Sequence, residues 1–238
     1  MIVLAFDSTA KAASVAVTDS EKLLAVYNID NGLTQSELLL PMAEHMLSSL
    51  NLDFSDVQLL ACSVGPGSFT GVRIGAALVK GIAFGKNIPC VSVSTLEALA
   101  ESLSGLDGII VPVMDARRGQ LYTAIFEGKN SGVSRISEDA AMSVCELSQR
   151  LSEYSGRRSI YLVGDGYNVA KAALSELGID TASTPELLKN ENAYSVARVA
   201  KRLHDEGKAV SDIELNPTYL RVPQAERERL ERLKNDNT

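Results

Sequence analysis

Histidine is nearly missing from this chain. Its 238 residues contain two, His45 and His204, and neither has a second His or a Cys at ligand spacing, so histidine-based metal chemistry has little to build on. Cysteine is also scarce. Cys62, Cys90 and Cys145 are odd in number, widely spaced and set among apolar residues, with no CxxC pair. That pattern excludes a disulfide framework or a zinc site and predicts buried thiols in a reducing compartment. No apolar run reaches the length of a membrane span, and the start "MIVLAFDSTA" lacks a basic n-region and is interrupted at Asp7. A cytoplasmic protein with no membrane contact is the expectation. Cations are the minority charge, 23 Lys and Arg against 30 Asp and Glu, for a net charge of −7. This balance disfavours a broad electrostatic grip on nucleic acid, although RNA contact through a partner stays open. A G-x-S-x-G elbow is absent as well, and no nucleophile stands out.

What is present is an α/β pattern written twice, in a chain long enough for two domains. Residues 2–6, 13–17 and 22–29 read as strands, and 34–50 as a helix with Thr34 and Glu37 placed for a capping box. Pro41 should kink that helix or mark a later start. A strand at 59–64, a helix at 69–85, a strand at 88–93 and a helix near 95–103 complete the first half. The second half reads as strands at 108–115, 120–127 and 132–137, a helix at 143–154, a strand at 159–164, and helices at 166–178 and 193–207. Each half has an apolar strand ending in Asp at a turn (Asp7, Asp115) and a strand running into Gly-x-Gly (Gly65 and Gly67, Gly164 and Gly166). The repeated order predicts two lobes with a cleft between them.

The stretch "SVGPGSFTGVRIG" (63–75) has the look of a phosphate cradle. Its Gly-Pro-Gly sets a tight strand-to-helix turn that Ser68 or Thr70 can cap. Each glycine inside the following helix costs about 1 kcal/mol relative to alanine. Gly71 with Gly75, and Ala77 with Gly81 and Gly85, lie four apart and form smooth strips that another backbone can approach. The 34–50 helix is apolar on more than one side. Together these features suggest a patch buried by a partner, built from Leu39, Met42, Ala43, Met46, Leu47, Gly71, Val72, Gly75, Ala76 and Val79. Burial of the same residues by the chain's own sheet is the alternative.

A duplicated βββαβα unit with an Asp turn after the first strand resembles the actin-like ATPase (ribonuclease H-like, ASKHA) superfamily. "VGPGSFTGVRIG" with "LLLP" (38–41), "DARRGQLY" (115–122) and "NPTYLR" (216–221) is similar to the bacterial TsaB (YeaZ) family over residues 1 to about 222. The resemblance implies an N-terminal lobe, 1–104, carrying partner-binding helices, a C-terminal lobe, 105–222, and a charged tail, 223–238. It implies a non-catalytic subunit that binds the paralogue TsaD and helps recruit the ATPase TsaE for threonylcarbamoylation of the adenosine next to the tRNA anticodon. TsaD-like proteins carry His-x-x-x-His where this chain has Thr95 and Leu99, so the metal site does not carry over. Kinases of the superfamily use Asp-x-Gly where Asp7 is followed by Ser8 and Thr9, and Asp165 between Gly164 and Gly166 would repel phosphate. The expectation is no catalytic residue, cofactor or metal on this chain, with ATP and a divalent metal on the partners, tRNA contacted only through the complex, and a homodimer when the chain is alone. The alternative is an actin-like small-molecule kinase or metalloprotease-like enzyme. TsaB relatives have His-Ser-Glu before "LLP" where this chain has Gln35-Ser36-Glu37, which leaves that histidine's role without a carrier. Asp115, Arg117 and Arg118 are expected as an ion-paired brace at the cleft.

Overall fold

The computed structural model describes residues 1–129 and 132–221. The tail 223–238 lies outside them. The first half runs β1 (Ile2–Asp7), β2 (Ala13–Asp19), β3 (Lys22–Ile29), α1 (Gln35–Ser49), β4 (Leu59–Gly65), α2 (Phe69–Ala83), β5 (Cys90–Ser94) and α3 (Thr95–Glu101). Its sheet has the order β3-β2-β1-β4-β5, with β1 antiparallel to β2 and parallel to β4. Helix α1 starts where the capping box predicts, the Thr34 N–H and Oγ1 both donating to the Glu37 carboxylate at 2.9 and 2.6 Å. It then continues through Pro41, so the later start is not found. Pro41 is exposed, and water can reach the carbonyl it leaves without a partner.

The second half runs β6 (Gly108–Asp115), β7 (Gln120–Thr123), β8 (Phe126–Lys129), β9 (Gly132–Arg135), β10 (Ala140–Ser143), α4 (Val144–Leu151), β11 (Ile160–Val163), α5 (Tyr167–Glu176) and α6 (Ala193–Asp205). The single strand expected at 120–127 is two, β7 and β8, and β10 was not foreseen. The pairing with β6 nonetheless keeps one register, from Val113↔Thr123 to Ile110↔Phe126. The break falls opposite Pro112, which has no N–H to give the ladder. Ile125 turns instead to the next strand, its N–H donating to Ser137 Oγ at 2.9 Å and its carbonyl accepting from Ile136 and Ser137. With β11 parallel to β6, and a parallel bridge Tyr161↔Ala182 where the first half has β5, the two halves share one topology.

The two sheets share their inner helices. One face of the first sheet is covered by α1 and α2, through Leu39, Met46, Leu47 and Val79 against Leu4, Phe6, Val15 and Leu60. Its other face is covered by the last helix, α6, whose Ala193, Ala197 and Ala200 lie on Val3, Ala5 and Ala16. Small residues on both sides let helix and sheet come close. The second sheet packs α4 and α5 on one face and α3 on the other, where Leu96, Leu99 and Leu103 meet Ile110, Met114 and Phe126. Ion pairs bind the inner layer: Arg198 to Glu101 at 2.9 Å, Arg202 to Glu97 at 2.5 Å, and Arg135 to Glu97 at 3.2 Å. No helix among the described residues is long and apolar enough to cross a membrane.

Helix α2 sits on the turn after β1 through its glycines. A Cβ on Gly71 would collide with the Ser8 carbonyl oxygen, and one on Gly75 would come within 2.6 Å of Ser8 Oγ. Among the described residues nothing lies within 4 Å of a Cβ on Gly81. Gly71→Ala should therefore destabilise the protein by about 2–3 kcal/mol through overpacking. Gly81→Ala should stabilise it by up to about 1 kcal/mol through helix propensity. Urea unfolding midpoints of the two variants check this, and a similar shift for both would remove the claimed difference in contact.

Candidate functional site

The loop that follows β4 is filled rather than open. Gly65 and Gly67 have φ of +118° and +157° around a cis Gly65–Pro66 bond. A Cβ on Gly65 would strike the Thr218 carbonyl, and one on Gly67 would lie 2.7 Å from the Thr9 carbonyl. The Ser68 N–H donates to Thr9 O at 2.8 Å, Ser8 Oγ donates to Gly71 O at 2.8 Å, and the Thr218 N–H donates to Val64 O at 2.8 Å. Ser68 Oγ accepts the Gly71 N–H at 3.2 Å as the α2 cap. The Ser68 amide is thus spent on the β1 turn, the Gly71 amide on the helix cap, and the Val64 carbonyl on the segment around Thr218. The loop works as a clasp.

All ten residues expected on the partner patch are buried in this chain. Leu39, Met42, Ala43, Met46, Leu47, Ala76 and Val79 belong to the core against the first sheet. Val72 is 1 % exposed, and Gly71 and Gly75 meet Ser8. The backbone that approaches these glycines is the chain's own, so the smooth strip at 71 and 75 serves internal packing. The outward face of the two helices is made by other residues. On α1 Leu40 and Pro41 are exposed among the polar Ser36, Glu37, Glu44, His45 and Ser48, with Leu38 half-buried; on α2 the exposed residues include Phe69, Arg73, Ala77 and Gly81, with Phe84 just past its end at 78 % exposure. Arg73 is held in place, its guanidinium 3.8 Å above the Phe69 ring and its Nε donating to Tyr219 OH at 2.8 Å. The residues 73, 77 and 81 follow helical spacing opposite the core stripe, which is the signal that would have identified them.

A second arrangement lies between the lobes, where the turns after β1 and β11 approach the segment before α6. Asp7 is buried and accepts from the Thr9 N–H and Oγ1 at 2.9 and 2.7 Å and from Ser63 Oγ at 2.6 Å. Burial still pushes its carboxyl above the ordinary range, against those three hydrogen bonds. Burial likewise raises Asp165, with the Asp115 charge adding to the effect, while Asp165 Oδ1 accepts the Asp115 N–H at 3.1 Å. Glu191 is 6 % exposed and its Oε1 has no hydrogen-bond partner among the described residues. Burial first, then the charges of Asp7 and Asp165, push it up to about 8. Asp165 and Glu191 border a cleft of about 400 Å³.

Thr95 and Leu99, which stand at the positions of the relatives' histidine pair, are both buried in the packing of α3. His45 faces solvent and shares a 2.9 Å hydrogen bond between Nδ1 and Tyr27 OH. Among the described residues no group of three or more His, Cys, Asp or Glu is placed to hold a metal ion. The expected brace of Asp115 with Arg117 and Arg118 is weak: Arg117 Nη1 lies 3.7 Å from Asp115 Oδ2 and its side chain is 87 % exposed. Arg221 makes the firmer tie, with Nη1 donating to Ala116 O at 2.7 Å.

The duplicated topology, the clasp and the interlobe cleft define a two-lobed α/β protein. Residues 34–228 match the family described as TsaD, tRNA N6-adenosine threonylcarbamoyltransferase. Over 228 residues the chain is 30% identical to the tRNA threonylcarbamoyladenosine biosynthesis protein TsaB of Bacillus subtilis (strain 168), covering 95% of this chain and 96% of that one. It is 30% identical over 224 residues to the TsaB of Escherichia coli (strain K12), covering 93% and 95%. YeaZ from Pseudomonas aeruginosa has the same fold, with a TM-score of 0.75 at 22% identity over 92% of this chain and 99% of that one. A second Pseudomonas aeruginosa structure with the same figures is described as having similarity to peptidase YEAZ. The chain belongs to the TsaB (YeaZ) family, as its loop and strand motifs suggested.

The raised Glu191 carboxyl makes stability depend on pH. Between an ordinary 4.5 and about 8 the folded chain holds a proton that the unfolded chain has lost. Stability attributable to this group is full below the lower value and is lost as pH rises to the upper one. Glu191→Gln carries no such loss. The melting temperature of Glu191→Gln minus that of the native chain should therefore grow by several degrees across the window, at about 2–4 °C per kcal/mol. Thermal melts on both sides of the window check this, and a constant difference would mean the carboxyl titrates normally.

Proposed function

We propose that this chain is a non-catalytic scaffold subunit in the synthesis of tRNA threonylcarbamoyladenosine. It binds a TsaD-type paralogue through the outward face of α1 and α2 and helps recruit the TsaE ATPase, while tRNA, ATP and the divalent metal are engaged by the partners. The lobes 1–104 and 105–222 act as one support, with the helices of the first presented to the partner. Alone, the same face pairs two copies of the chain in the cytoplasm.

The observation that carries this reading is the outward face itself. Leu40, Phe69 and Phe84 are 38 %, 38 % and 78 % exposed, on or beside two helices whose exposed Ala77 and Gly81 leave room for a neighbouring helix. Apolar side chains gathered around small residues favour a protein partner over solvent. The names of the relatives point to the same pathway. Support for the enzyme alternatives is thinner. A kinase reading must place phosphates beside Asp7, Asp165 and Glu191, and a metalloprotease reading must find ligands where Thr95 and Leu99 are buried.

Light scattering of the chain alone, and mixed with the TsaD-type chain of the same genome, tests the proposal. A 1:1 complex replacing a homodimer is the expected result. Ala77→Glu and Leu40→Glu should weaken that complex at least about tenfold, since each would bury a charge. Both positions face outward, so the melting temperature should hardly move. The absence of any complex with the native chain would overturn the reading.

A further inference from the structure

We propose that the interlobe cleft bordered by Asp165 and Glu191 binds a small organic cation, an alkylammonium compound of the polyamine kind. Carboxyl groups outnumber cations around the cleft. Asp30, Asp165 and Glu191 border it together with the side-chain amides of Asn28 and Asn190, and Lys11 is the cation among them. Glu186 also borders it, with its charge taken by Lys189 at 2.5 Å.

Four amides near the cleft in sequence are bonded within the chain. The Thr9 N–H goes to Asp7, the Gly164 N–H to Lys189 O at 2.6 Å, the Gly166 N–H to Val113 O at 3.0 Å, and the Ser195 N–H to Asn192 Oδ1 at 2.9 Å. On the acceptor side, Glu191 Oε1 is buried without a hydrogen-bond partner among the described residues. A buried acceptor with no hydrogen bond costs about 1–3 kcal/mol, and an ammonium donor would supply the missing bond. Carboxyls facing Glu191 from the β1 turn (Asp7) and the β11–α5 turn (Asp165) repel its ionised form, and an added positive charge would relieve that repulsion.

A divalent metal fits less well. It needs several ligands converging on one point, and no such group occurs among the described residues. A volume of about 400 Å³ suits a molecule rather than a bare ion. This inference does not depend on the scaffold reading, because it concerns the lone chain.

Calorimetric titration of the full chain at low ionic strength, at a pH above the value of about 8 where Glu191 ionises, with spermidine as the probe, tests it. Saturable one-site binding is expected, weakened at least about tenfold by Asp165→Asn and by Glu191→Gln. Asp165→Asn keeps an oxygen for the Asp115 N–H, and a melting temperature close to native would exclude misfolding as the cause. Glu153→Gln, at an exposed carboxylate just past the end of α4, removes the same charge elsewhere and should leave binding unchanged. Equal weakening by Glu153→Gln, or equally tight binding of Mg²⁺, would reduce the effect to net charge and overturn the proposal. Nα-acetyl-lysine amide distinguishes the source of the ammonium: weaker binding than spermidine supports a free polyamine, and tighter binding replaces it with a lysine side chain of a partner. No heat from either amine overturns the site.

Discussion

The close approach of α2 to the turn after β1 is the contact on which the rest of the structure depends. It exists because residues 71 and 75 have no Cβ. Ser8 occupies the space, its hydroxyl reaching Gly71 O at 2.8 Å. From that point the clasp continues through Ser68 to Thr9 and from Val64 to Thr218. One dense cluster therefore fixes the β4–α2 loop, the first hairpin and the segment leading to Arg221. Helix α2 accepts the intrinsic cost of its interior glycines, about 1 kcal/mol each, for a contact that no other residue permits.

A second constraint is the exchange of helices between lobes. A duplicated βββαβα unit has a sheet with two faces, and its own first two helices cover one of them. The remaining faces are turned toward each other and filled by α3 and α6, packed as a shared layer. Alanine on α6 against alanine on β1 and β2 keeps that layer thin. The carboxylates of Glu97 and Glu101 and the guanidiniums of Arg135, Arg198 and Arg202 line its edge. Ion pairs of this partly exposed kind contribute modestly one at a time. Their main effect is orientation, since each joins α3 to α6 or to β9 in a single register.

Much of this was legible in the chain. Strands β3 and β6 fall where the alternation placed them, the capping box at Thr34 forms, and the two Asp turns mark equivalent positions. Local pattern carries such features because each depends on neighbours within a few residues. The partner patch was not legible to the same degree. Leu39, Met46 and Val79 were chosen for being apolar and helical, and that property describes a core stripe as well as a docking face. Which side of α1 meets the sheet is decided by β1, β2 and β4, and the helix sequence alone does not contain it. The break at Ala124–Ile125 depended on a proline in the neighbouring strand, Pro112. The gathering of Asp7, Asp165 and Glu191 joins three distant segments, and only the closed fold brings them together.

That gathering gives the cleft its character. In a two-lobed protein of this kind the turns after the first strand of one half and after the corresponding Gly-x-Gly strand of the other are the natural place for a phosphate chain. Here the Thr9, Gly164 and Gly166 amides are bonded within the chain, and carboxyl groups stand at the same place. A charged ligand is selected by the sign of what faces it, and by whether donors or acceptors remain unspent. Glu191 Oε1 is a buried acceptor left without a hydrogen bond among the described residues. The outer helices vary independently of this inner site, because α1 and α2 present one face to the first sheet and the other to solvent, on the side of that sheet away from α6. The geometry thus separates two surfaces that can be altered one at a time: an apolar outer face suited to a protein, and an acidic inner cleft whose charge runs opposite to that of a nucleotide site.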